Sequence, residues 1–140
     1  MDILADTGFL IDLWREQERP GPATHFASSH SDYAVGICWI VAGEFLCGSV
    51  LAGQDRDETA SFIDRYPVAH SDTGTVLHYA DLYAVLRKRN AMIGPNDLWI
   101  AACALAHGLP VVTRNVDEFR RVPNLSVIDY RKPDSSAKQG

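Results

Sequence analysis

The sequence predicts one α/β domain of three layers, with helices on both faces of a parallel sheet. Three observations lead there. Short β-rich runs alternate with helix-length stretches along the chain. The intervening helices supply the crossovers that parallel strands require. A chain of 140 residues with 46% hydrophobic residues has the size and apolar content of one ordinary core.

Residues 3–5 (ILA) are a short apolar run and read as a strand. Residues 7 to 16 carry apolar side chains at 9, 10, 13 and 14, a helical spacing. Gly21 and Pro22 break the chain before a short helix over 23–30. Residues 33–38 (YAVGIC) read as a second strand, and 39–51 as a helix apolar at 41, 45, 46 and 50. A further helix over 56–65 stops at Pro67, and 68–70 form a third short strand. Residues 72–89 make a long helix with Leu77, Ala80, Ala84 and Val85 on one face. Its last turn carries Arg87, Lys88 and Arg89, which suit the negative end of the helix dipole. Residues 96–107 are the next helix, with start signals at Pro95 and Asn96 and a left-handed stop at Gly108. Residues 109–113 and 125–128 close the chain as strands. The polar tail 133–140 has no periodicity and is expected to be mobile, so the domain is bounded at 1–132.

Composition excludes several classes. Asp2 and Asp6 stand where a secretion signal would carry Lys or Arg, and no apolar run approaches the roughly 20 residues needed to span a bilayer. Cys38, Cys47 and Cys103 are odd in number and lack a C-x-x-C pair, so buried reduced thiols in a cytoplasmic protein are expected. Neither a P-loop nor a dinucleotide fingerprint is present, and the five histidines show no H-E-x-x-H spacing. Net charge is −5, but it is uneven: residues 1–80 hold 12 acidic and 4 basic side chains, residues 81–140 hold 6 and 9. Arg87, Lys88, Arg89, Arg114, Arg120 and Arg121 are the candidate phosphate contacts, although from charge alone an unevenly charged solvated surface is the favoured reading.

The chemistry sits in the acids. Ligands of open parallel sheets bind at the carboxyl ends of strands. Asp6 directly follows the first strand, Glu44 lies one turn into the helix after the second, Asp97 opens the helix after Gly94-Pro95-Asn96, and Asp117 follows the strand ending at Thr113. Convergent carboxylates supply the oxygen ligands that Mg²⁺ or Mn²⁺ takes. Each acid also has an ordinary reading: helix cap, exposed helix residue, dipole partner and turn residue, respectively.

These residues resemble a family. MDILADTGFLIDL (1–13) resembles the opening of PIN domains. AGEFLCG (42–48) is similar to their Glu-Leu-x-x-Gly segment, PNDLWIAACAL (95–105) to their Asp-led Ile-Ala-Ala helix, and VVTRNVDEF (111–119) to their Thr-x-Asp-x-x-x-Phe strand end. The short single-domain length resembles VapC, the toxin of type II toxin–antitoxin pairs. The resemblance implies a mostly parallel five-stranded sheet and a Mg²⁺- or Mn²⁺-dependent endoribonuclease acting on structured RNA. It also implies a VapB-type antitoxin partner. Asp6, Glu44 and Asp97 match the family's first three acids. The fourth departs: Asn115 stands where an acid is usual, which leaves Asn115 or Asp117 as the fourth metal ligand, with Thr113 in support.

The missing acid supports an alternative, an inactive PIN-fold module that binds a partner or RNA without cleaving it. A phosphatase-like hydrolase fits poorly, because Gly8 occupies the second position of an Asp-x-Asp motif. Some of the surface formed by Phe9, Leu13 and Trp14, with Trp39, Phe45 and Leu46, is expected to exceed what the core buries. They would then form an antitoxin groove or a homodimer face.

Overall fold

The computed structural model describes residues 1–132; the expected tail 133–140 lies outside the described residues. The chain runs β1 (Ile3–Ala5), α1 (Thr7–Arg15), α2 (Pro22–Ser29), β2 (Val35–Cys38), α3 (Trp39–Leu51) and α4 (Arg56–Ile63). It continues β3 (Val68–Ala69), α5 (Thr73–Lys88), α6 (Pro95–His107), β4 (Val111–Thr113), α7 (Val116–Phe119) and β5 (Val127–Asp129). The five strands form one sheet in the order β3-β2-β1-β4-β5. Every pairing is parallel, so the mostly parallel sheet of the sequence reading is wholly parallel among the described residues.

This order positions the site. The chain winds from central β1 outward to β2 and β3, then returns to the other side of β1 for β4 and β5. Loops leaving the carboxyl ends of β1 and β4 therefore diverge, which opens a crevice at the topological switch point. Asp6 follows β1 and Thr113 ends β4, so both stand at its mouth.

Ile3, Leu4 and Ala5, together with Val111, Val112 and Thr113, are completely buried, as continuous apolar strands covered on both faces should be. On α6 the run Ile100–Ala104 is equally buried, and its three alanines let the helix lie close to its neighbours. Gly108 caps α6 in the left-handed conformation (φ 65°), as its position predicts.

Three expectations change. The face of α5 carrying Leu77, Ala80 and Ala84 is exposed; Thr75, Leu82 and Leu86 are buried instead, and Tyr79 stacks on Trp99 of α6 at 3.7 Å. Two positions of that inward face are filled by Thr75 and Tyr79, so counting aliphatic residues picks the wrong side. The aromatic surface expected outside the core narrows to Trp39. Phe9 and Phe45 are buried, and Trp14 meets Phe45 and Phe62 edge-on within one cluster, leaving Trp39 exposed. Of the cysteines, Cys38 and Cys103 are buried but Cys47 is exposed. Among the described residues, no helix is long and apolar enough to cross a membrane.

Candidate metal centre

Asp6 is both a helix cap and a site residue. Its extended backbone (φ −78°, ψ 161°) starts α1, and Oδ1 accepts from the Thr7 backbone N–H at 2.7 Å. The Thr113 hydroxyl donates to Oδ2 at 2.7 Å, which ties the end of β1 to the end of β4. Thr113 is fully buried, and its hydroxyl oxygen also accepts from the Asn115 N–H at 2.9 Å. Burial pushes the Asp6 carboxyl up from the usual range. The Thr113 and Thr7 hydrogen bonds pull it down, and the Glu44 charge pushes it up again.

Glu44 reaches in from α3. Its Oε1 accepts from the Thr7 hydroxyl at 2.7 Å and its Oε2 from Asn96 Nδ2 at 3.2 Å. One glutamate thus links the first turns of α1 and α6.

Asp97, in the first turn of α6, is half-buried. Its carboxyl is raised to about 8, first by burial, then by a hydrogen bond with Glu118, then by the charges of Asp6, Glu118 and Glu44. Asn115 Nδ2 donates to Asp97 Oδ2 at 2.9 Å and also to the Glu118 carboxylate. Glu118 itself is held below its ordinary value by those bonds from Asp97 and Asn115 and by Arg121. Each of the two carboxyls thus displaces the other, Asp97 upward and Glu118 downward.

Glu118 was not among the residues read from the sequence. The segment after β4 turns at once into the four-residue helix α7, with Asn115 at its cap. Position 118 is three residues beyond the cap and comes round beside it, whereas exposed Asp117 points into a neighbouring cavity with Arg114 and Arg120. The signal was available: reading 116–119 as a helical turn would have paired 115 with 118.

Four carboxylates thus converge on the switch point from α1, α3, α6 and α7, with Asn115 among them. Hydroxyl and amide donors of Thr7, Asn96 and Asn115 separate them, and among the described residues no three acidic side chains are placed to share one ion. The donor set is nevertheless all oxygen and predominantly anionic, which suits a hard divalent cation. Mutual repulsion among these carboxylates is what a cation would relieve.

The candidate RNA contacts divide. Arg114 pairs with Asp12 at 2.8 Å and its charge lowers the Asp6 carboxyl. Arg121 donates to the Met92 carbonyl at 3.1 Å, and Arg120 lines the cavity beside Asp117. Arg87, Lys88 and Arg89 are exposed at the end of α5, where Arg87 reaches the Tyr83 hydroxyl at 3.4 Å.

A parallel sheet with this strand order and acids at its switch point define the class, and the PIN domain family model matches residues 3–125. The chain belongs to the PIN-domain family. Within it, the chain resembles the VapC ribonucleases. Ribonuclease VapC2 of Rickettsia felis is 32% identical over 101 residues, covering 70% of this chain and 75% of that protein. Ribonuclease VapC of Rickettsia bellii is 31% identical over 134 residues, covering 91% and 96%. The solved structure of VapBC-1 from nontypeable Haemophilus influenzae superposes with a TM-score of 0.80 at 28% identity, covering 94% of this chain and 100% of that one.

Proposed function

We propose that the chain is a Mg²⁺- or Mn²⁺-dependent endoribonuclease, the toxin of a toxin–antitoxin pair, restrained by a VapB-type antitoxin. The observation that carries the reading is Asp97, bridged to Glu118 by Asn115: the Asp97 carboxyl is pushed up to about 8 by burial, by its hydrogen bond with Glu118 and by the charges of Asp6, Glu118 and Glu44. Perturbation of that size by burial and like charges is characteristic of functional sites. Likeness to ribonucleases VapC supports the RNA substrate, and likeness to VapBC-1 supports the partner.

Asp6, Glu44, Asp97 and Glu118 are the carboxylates that would have to draw together to hold the ion, which would supply phosphate polarisation and a water of lowered pKa. The chain's own residues set the stage. Thr113 and the Thr7 N–H fix both oxygens of Asp6. Thr7 and Asn96 do the same for Glu44. Asn115 bridges Asp97 and Glu118, holding the two carboxyls side by side through its amide donors. Glu118 would supply the fourth carboxylate that Asn115 lacks, which speaks against the inactive-module reading. The test is RNA cleavage by the purified chain with Mg²⁺, with EDTA, and by Asp97→Asn. Cleavage only by the wild type with metal is expected, and cleavage that survives EDTA would refute the reading.

A further inference from the structure

Beyond Asn115 lies a second cavity of about 220 Å³ with a mainly cationic wall. Arg114, Arg120, Arg131 and Lys132 line it, against Asp117 and Asp129. The Asp129 charge is already answered by Arg131 Nε at 3.2 Å, which leaves the wall net positive. Two of the guanidinium groups are anchored. Arg114 is held by Asp12 at 2.8 Å, and Asp12 in turn accepts from the Tyr130 hydroxyl. Arg131 Nη2 donates to the Arg114 carbonyl at 2.8 Å. Cations fixed in advance bind an anion with less loss of side-chain freedom, and a guanidinium fork matches phosphate geometry. The cavity is smaller than the ~300–1,000 Å³ typical of small-molecule pockets and suits a compact anionic group.

The cavity also adjoins the carboxylates. Asn115 lines it while donating to Asp97. Arg114 lies over the first turn of α1, where a Cβ at Gly8 would come within 2.8 Å of its Nε. We propose that this cavity is a phosphate subsite, holding the RNA backbone phosphate next to the one cut at the carboxylates; the proposal rests on the nuclease reading above. Arg114 and Arg131 form the fixed floor, and exposed Arg120 and Lys132 close over the phosphate. Arg121, turned to the Met92 carbonyl, is not part of this subsite.

The test measures binding of a short single-stranded RNA to the Asp97→Asn protein across a range of salt concentrations. Each neutralised phosphate contributes a slope of about −0.7 in log K against log[salt]. Adding Arg120→Gln and Lys132→Gln should weaken binding several-fold and flatten the slope by about one such increment. Arg19→Gln, a remote surface change, should alter neither. An unaltered slope and affinity in the Gln variant would overturn the subsite, as would a cavity that takes inorganic phosphate while RNA binding stays at the Asp97→Asn level. Cleavage by the wild type tests the nuclease reading separately. A chain that cuts no RNA but still loses salt dependence on removal of Arg120 and Lys132 would sink the nuclease reading and leave the cavity as an RNA phosphate site.

Discussion

Asp97→Asn should stabilise the metal-free protein at alkaline pH. In the folded chain the Asp97 carboxyl titrates at about 8, against 3.8 as its ordinary value. A raised folded-state pKa contributes stability that is complete below the ordinary value and is lost as pH rises through 8. Glu118 titrates below its ordinary value and is ionised in both states through most of this window, so it does not offset the loss. At 1.36 kcal/mol per pH unit, full transfer would remove about 4 kcal/mol between pH 5 and pH 9. Partial exposure of Asp97 and its coupling to Glu118 reduce that to about 2 kcal/mol. Asparagine reproduces the protonated acid: its Nδ2 can donate to Glu118, and its Oδ1 can accept from Asn115. The mutant's stability relative to the wild type should therefore rise by about 2 kcal/mol from pH 5 to pH 9, roughly 6 °C in Tm for a chain of this size. Thermal melts in EDTA across that range measure the difference. Parallel curves for the two proteins from pH 5 to pH 9 would refute the assignment of the alkaline titration to Asp97.

Three further outcomes are expected. Mn²⁺ at 100 times its Kd should stabilise the wild type by about 2.7 kcal/mol; Glu118→Gln should lose most of that and Asp117→Asn little, as read from melts with and without the ion. Thr113→Val removes the buried hydroxyl that donates to Asp6 and should cost about 1–3 kcal/mol in urea unfolding. Tyr130→Phe removes the hydroxyl that donates to Asp12, and should cost about 1 kcal/mol by the same assay because Arg114 still pairs with that carboxylate.

Alternation of apolar runs and helical spacings made the sheet and six of its helices legible, because burial on both faces of β1 and β4 leaves a continuous apolar signature. The four residues of α7 carry too little periodicity to announce a helix, and they follow a strand almost directly. That one omission hid Glu118, since its approach to Asn115 exists only in a helical turn. The approach of Asp6, Glu44 and Asp97 to one another was legible because Asp6 directly follows β1, Glu44 lies in the helix that follows β2 and Asp97 stands in the first turn of α6. The inward face of α5 was misread for a different reason. Its buried positions include Thr75, whose hydroxyl completes the helix cap with Asp72, and Tyr79, which stacks on Trp99. Both are fixed by partners that periodicity does not register.

The most direct test of the carboxylate site is calorimetric titration of Mn²⁺ into the purified chain in two buffers of different ionisation enthalpy. Metal ligands must be deprotonated, so binding releases any proton they hold. With the Asp97 carboxyl at about 8, binding at pH 7 should release close to one proton per ion, and release should fade by pH 9. Asp97→Asn should bind weakly and release little at either pH. Tight binding by the wild type without proton release at pH 7, or with undiminished affinity in Asp97→Asn, would contradict a metal held at Asp97.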